Sequence, residues 1–229
     1  MPPRSKFTRA QLQTAALKIV DEQGLAALSM RSLAAALGTG AMTLYNYLKD
    51  REELDALLVE AVAVEVAMPE TGHTDWREDV RAIVGAMWKA VRTHPNVIPL
   101  VLTRRVLHET TLIPAEALLT ALARSGRSDA ELLAAFRTLS GFVMGLAQAR
   151  LAGPFPSGDA NGDPNIAHAK RLPRAQFPKL VEIAAAAEKS GSDGEFQAGL
   201  DIIMAGLEVR SGKDGGKKTA APSKRAARH

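Results

Sequence analysis

Thr39, Gly40, Ala41, Thr43, Tyr45, Asn46, Tyr47 and Lys49 fall within one short stretch, with Arg31 a little upstream. These residue types suit duplex DNA. A threonine offers a hydroxyl and a methyl, the latter matched to the thymine methyl, and an asparagine can pair with an adenine edge. A tyrosine hydroxyl at 45 or 47 can bond a phosphate, and Arg31 and Lys49 can fix register on the backbone. Gly40 and Ala41 are small, so a helix that starts there can come close to DNA with its free N–H groups toward phosphate.

Such side chains need short helices around a tight turn. Thr8-Arg9-Ala10-Gln11 has the form of a capping box, followed by Leu12, Ala15, Ala16, Ile19 and Val20 at helical spacing. Gly24 is a stop, and Ser29 is an N-cap for a second helix whose inner face is Leu33, Ala34 and Leu37. Gly38 and Gly40 flank a turn that allows only a sharp change of direction. A third helix is expected over 41–47. Met42, Leu44 and Leu48 would hold it, with Thr43, Asn46 and Tyr47 toward the groove. Lys49-Asp50 lead into a fourth helix from Arg51 to about Ala67.

The charge distribution supports a local role for DNA. The chain of 229 residues has net charge +4, but residues 1–51 hold seven Lys/Arg against three Asp/Glu, 52–210 sixteen against twenty-one, and 211–229 six against one. A protein that coats nucleic acid would be basic throughout. There is no cysteine, so disulfides and thiolate metal sites are excluded. The five histidines, His73, His94, His108, His168 and His229, are scattered. No nucleophile–base pattern or phosphate-binding glycine loop accompanies them, so neither catalysis nor a cofactor or metal is expected. No apolar run reads as a membrane span and the N-terminus lacks a signal-peptide centre, which leaves a cytoplasmic protein as the expectation.

An Ala/Leu-rich chain with few aromatics favours an all-α fold. Helices are expected at about 75–93, 96–112, 114–125, 129–151, 174–190 and 193–210, with Pro114 as a breaker and 152–166 as a loop. Residues 211–229 offer almost nothing to bury and are expected to be a disordered basic tail. The domains are thus 1–50 for DNA binding, 51–210 for regulation and dimerisation, and 211–229 as the tail.

Residues 8–54 resemble the N-terminal domain of the tetracycline-repressor (TetR) family of bacterial transcription regulators. The likeness rests on the capped first helix, Gly24-Leu25, Leu28-Ser29-Met30-Arg31-Ser32-Leu33-Ala34, Leu37-Gly38, Thr43-Leu44-Tyr45-Asn46-Tyr47-Leu48, Lys49-Asp50-Arg51 and Glu53-Leu54. It places DNA contacts on Arg31, Thr43, Tyr45, Asn46, Tyr47 and Lys49. A weaker resemblance to the family's C-terminal domain rests on Trp76, His94-Pro95, Gly141-Phe142-Val143-Met144-Gly145, Phe177-Pro178-Lys179-Leu180 and Phe196 to Asp201 with Gly206-Leu207. It implies a homodimer in which two helices of each subunit meet their copies. Gly141, Gly145, Gly199 and Gly206 would allow close approach there.

The resemblance also implies a small-molecule effector in the helical body. Met87, Arg104, Arg105, His108, Leu122, Phe136, Ser140 and Met144 are the candidate contacts. Positions that hold drug and metal in the tetracycline repressor are Ala67, Ile83 and Val101 here, so tetracycline–magnesium is not expected and a more apolar effector is. A repressor that binds a palindromic double-stranded operator and is released by ligand is the leading expectation. An activator, or a ligand-independent DNA-binding protein of the same fold, is the alternative.

Overall fold

The structure, a computed structural model, describes residues 6–103, 108–151, 164–187 and 191–211. Within them the chain is helical, and no strand occurs among the described residues. α1 (Arg9–Gln23), α2 (Met30–Ala36) and α3 (Ala41–Leu44) form a small head, and α4 (Arg51–Val64) leads out of it. The body holds α5 (Trp76–Thr93), α6 (Ile98–Thr103), α7 (Glu109–Ala123), α8 (Asp129–Leu151), α9 (Pro164–Lys170), α10 (Pro178–Ala187) and α11 (Ser192–Ser211).

The helix starts follow the expected chemistry. The Thr8 side chain accepts from the Gln11 N–H at 3.2 Å, and Gln11 accepts from the Thr8 N–H at 2.8 Å. The same reciprocal pattern joins Ser29 and Ser32, and Asp50 caps α4 through the Glu53 N–H at 2.9 Å. Gly24 and Gly38 adopt positive φ of 81° and 63°, the left-handed region that a side chain would strain.

Several expected boundaries are corrected. The third helix is one turn, 41–44, and its exit tightens to a bond from the Tyr47 N–H to the Leu44 carbonyl at 2.8 Å. Pro114 does not break the chain but lies inside α7, near its N-terminal end, where the missing N–H forfeits a single ladder bond. α9 occupies residues that the loop and the stretch before α10 were expected to fill, and α10 begins at Pro178, a residue pre-set for a first turn. The expected basic tail lies outside the described residues except for Ser211.

α4 joins head and body. It packs on α1 on one side and α7 on the other. Leu54, Leu57, Leu58, Ala61 and Val62 are all buried, so a single apolar core runs from Leu12 and Leu44 in the head to Leu139 and Val143 in α8. Each fully buried leucine contributes about 1.5–3 kcal/mol. A division at residue 50 therefore cuts the chain but not the core.

α8 corrects one expectation. Over Asp129–Ala149 it is long and apolar enough to cross a membrane by length and composition, although only 22% of that window is buried. Its long Ala, Leu, Val, Met and Gly sequence has few charges; Ala135, Leu139, Val143 and Ala147 are buried while its other face is exposed among the described residues.

Candidate nucleic-acid interface and effector cavity

The head presents its polar residues through one helical register. Leu44 and Leu48, four apart, are 0% and 1% exposed and anchor the segment. Met42 stands two positions from Leu44, nearly opposite on the helix, and is 79% exposed. Its expected role in holding the helix is thereby corrected. Tyr45 is 49% exposed. Arg31, Gly40, Asn46 and Lys49 are exposed, and Thr39, Ala41 and Thr43 half-buried. Tyr47, three residues after Leu44, turns inward instead of toward a groove. Its hydroxyl accepts the Phe7 N–H at 3.2 Å, and the two rings meet edge to face at 6.1 Å. The tyrosine therefore braces the chain that enters α1.

Buried ion pairs fix the head on α4. Arg9 contacts Glu60 at 2.6 Å, and Glu60 is 3% exposed. Arg51 pairs with the buried Asp55 at 2.7 Å and also donates to the Leu28 carbonyl. Lys49 keeps its ammonium out, 3.6 Å from Glu53, with a side chain 84% exposed. It can therefore leave that exposed pair at little cost.

Between head and body His94 is buried at 6% exposure. Its Nδ1 lies 2.8 Å from Asp21 Oδ2 and its Nε2 2.6 Å from Glu65 Oε2. Burial opposes the charged ring, but the hydrogen bonds to Glu65 and Asp21 outweigh it, so His94 titrates above the ordinary histidine value. A second network closes the α4–α5 connection. His73 Nδ1 is 2.5 Å from Asp79 Oδ1, the Gly72 N–H donates to Oδ2 at 2.9 Å, and Arg124, the C-cap of α7, pairs with the same carboxylate. The His73 bond, then the backbone donors, lower Asp79 to about 2. His73 is raised in turn by its bond to Asp79. Sequence spacing gives no sign of either network, because Asp21, Glu65 and His94 in one, and Asp79 and Arg124 in the other, are far apart in the chain.

An apolar cavity of ≈ 250 Å³ lies inside the body. α4 supplies Val59, Val62 and Ala63, with Val66 just beyond, and α5 supplies Met87 and Val91. Val101, Thr111, Pro114, Ala115, Phe136 and Met144 complete the wall. Of the expected effector contacts, Met87, Phe136 and Met144 line it. Ser140 falls between the last two on the same face of α8, and its buried Oγ has no hydrogen-bond partner. Leu122 is corrected to plain core at 0% exposure. His108 is corrected as well: it starts α7 and lines a hollow beside Tyr45, Asn46 and Lys49, with Nδ1 3.9 Å from Glu60. Arg104 and Arg105 lie outside the described residues. Sequence reading missed the valines of α4, because their spacing is that of any helix facing a core.

The expected dimer residues divide. Gly141, Gly145 and Gly206 are exposed, and a Cβ on any of them would meet nothing within 4 Å. Gly199 is corrected to an intrachain role: a Cβ there would come within 2.5 Å of the Phe142 ring. That ring stacks on Phe196, which stacks on Trp88, so α5, α8 and α11 lock together within one chain.

A turn-linked helical head with an outward polar segment, set on a helical body with an apolar cavity, defines a helix-turn-helix regulator. The profile of the bacterial regulatory proteins of the tetR family matches residues 12–58, and that of the tetracyclin repressor-like C-terminal domain matches 68–211. The chain belongs to this family of transcriptional regulators. It is 31% identical to the HTH-type transcriptional repressor DrrR1 of Streptomyces coeruleorubidus over 219 residues, covering 90% of this chain and 79% of that one. Apo ActR of Streptomyces coelicolor superposes with a TM-score of 0.75 at 32% identity, over 93% of this chain and 99% of ActR. The complex of ActR with actinorhodin gives 0.75 at 31%, over 90% and 99%. DrrR1 is a transcriptional repressor by name, and ActR is a TetR family protein.

Proposed function

We propose that this chain is a cytoplasmic repressor that binds a near-palindromic operator as a homodimer and is released by a small apolar molecule. The observation that carries the reading is a cavity walled by α4 and α5 in the same molecule that holds an exposed polar recognition segment. α4 reaches from that cavity into the core of the head, so a ligand that widens the gap between α4 and α5 changes the stance of the head.

Arg31, Thr39 to Ala41, Thr43, Tyr45, Asn46 and Lys49 make the DNA contacts in this reading. Asn46 and Thr43 read base edges, while Arg31, Tyr45 and Lys49 hold phosphates. Tyr47 acts from behind, as the brace of the N-terminal arm. The effector rests on Met87, Phe136 and Met144, with Ser140 and Thr111 as its polar anchors. An apolar wall without histidine or carboxylate suits a largely uncharged ligand and not a metal chelate. ActR's complex with actinorhodin supports a cavity of this kind as an effector site.

The exposed face of α8 and α11 is the dimer surface in this reading. Leu133 (46% exposed) and Ile202 (74%) flank Gly141, Gly145 and Gly206 on helices that already pack together. A second copy of this apolar, glycine-bearing surface covers it better than lipid would, because Arg137 sits midway along α8.

Selection of bound duplexes from a random pool by the full chain tests the reading. Two inverted half-sites spaced by whole turns of DNA are expected. Enrichment of no sequence overturns it.

A further inference from the structure

The short turn after α5 is where the body touches the head. His94 and the 3-10 turn Pro95–Val97 pack against α1, α4, α6 and α8. Asn96 Nδ2 donates to the Val20 carbonyl at 3.0 Å, at the C-terminal end of α1. Beside it His94 bridges Asp21 of α1 and Glu65 at the end of α4.

Both helices that carry this bridge also carry the cavity wall. On α5, Met87 and Val91 face the cavity, and His94 continues the same face one turn further. Val62 of α4 and Val66 just beyond it line the cavity on either side of Glu65. A displacement of α4 from α5 at the cavity therefore stretches the Glu65–His94 contact and, through the ring, the hold on Asp21.

We infer that His94 is the positioning residue that joins the cavity-bearing helices to the DNA head, bridging Asp21 and Glu65 as a doubly protonated ring, so that duplex affinity falls as pH rises. The inference rests on the operator reading given above.

The chemistry sets the sign. A charged imidazole donates from both nitrogens, whereas a neutral one donates from one and turns a lone pair on the other carboxylate. Deprotonation thus frees one of the two arms, and Asp21 and Glu65 are 33% and 45% exposed, so a freed carboxylate rehydrates readily. The ring's raised titration places the loss above the ordinary 6.5. The stability that the bridge contributes is complete below that value and disappears as pH climbs through the raised one.

The other ionisable groups around this hollow are Lys18 and Glu22 of α1, which pair with each other at 4.0 Å. α6 carries no charge, and on α8 Asp129 and Glu131 lie in the first turn while Arg137 is exposed. On α5 itself Arg92 is paired with Asp193 of α11 and Lys89 is exposed. His73, which also gains a carboxylate, lies before the opposite end of α5 and is unchanged in every variant below.

The test uses the full chain and the duplex enriched by the wild type, at constant ionic strength from pH 6.0 to 8.5, together with ring nitrogen NMR of His94. The wild type is expected to lose duplex affinity by about fivefold or more across the range. His94→Gln should bind with no such slope, and Glu65→Gln, which keeps the histidine, should shift the midpoint to lower pH. The ring of the wild type should show two protonated nitrogens at the acid end of the range and one at the alkaline end. A wild-type affinity flat with pH, a slope retained in His94→Gln, or a ring already neutral at pH 6.0 overturns the junction while leaving the operator reading intact. If no duplex is enriched, the operator reading falls and this inference falls with it.

Discussion

The recognition segment and α8 each keep an exposed face in the single chain, yet for opposite reasons. Residues 39–49 expose Tyr45, Asn46 and Lys49, groups that lose little by waiting in water for a polyanion. α8 exposes Leu133 and two glycines on a long helix with few charges, and among the described residues no side chain covers that face. Exposure of polar groups marks a surface kept for a solvated partner. In the proposed dimer, an exposed apolar, glycine-bearing face is covered by its copy.

The contrast can be broken most severely at α11. Ile202→Arg places a charge in the centre of the apolar face and should convert a dimer to a monomer by analytical ultracentrifugation. Each head then binds alone, and duplex affinity should fall by about a hundredfold or more. A variant that stays dimeric with unchanged affinity removes α8 and α11 from the interface.

Next in size is the support beneath the recognition segment. Leu44→Ala empties a site of 0% exposure and should cost about 2–5 kcal/mol in thermal or denaturant unfolding. The reading side should respond differently. Asn46→Ala should lose about 1–3 kcal/mol of duplex affinity and relax preference at one base pair, with unchanged melting. Lys49→Ala should weaken all duplexes alike and reduce the slope of log affinity against log salt by about one.

Acid probes the body. Asp79, held at about 2, contributes stability that is complete above the usual carboxylate range and is lost as pH falls toward 2. Asp79→Asn should flatten the pH dependence of melting between about pH 4 and 2; an unchanged profile would remove the His73–Asp79–Arg124 network from the stability of the α4–α5 connection. The smallest effect is expected at Met42, where Met42→Ala should change stability by no more than about 0.5 kcal/mol. A larger loss would return that side chain to the packing role its residue type suggests.

The head was more legible than the body. Caps at Thr8 and Ser29, glycines at 24 and 38, and leucines at 44 and 48 act over a few residues, so local chemistry dictates them. Tyr47 and Met42 exchanged the places that residue type suggested, because the short helix rotates one outward and the other onto Phe7. In the body Met87, Phe136 and Met144 were legible as cavity candidates. Leu122 was not distinguishable from them, since a cavity wall and a filled core use the same side chains at the same spacing.

By itself the sequence determined the all-helical class, the turn of the head and the family, because each depends on short-range pattern. Tertiary structure alone decided which apolar residues border empty space, which glycines approach a neighbour and which remain open. It also decided that His94 meets two carboxylates. Those outcomes depend on how α1, α4, α5 and α8 are brought together over long separations in the chain, and no local period encodes that.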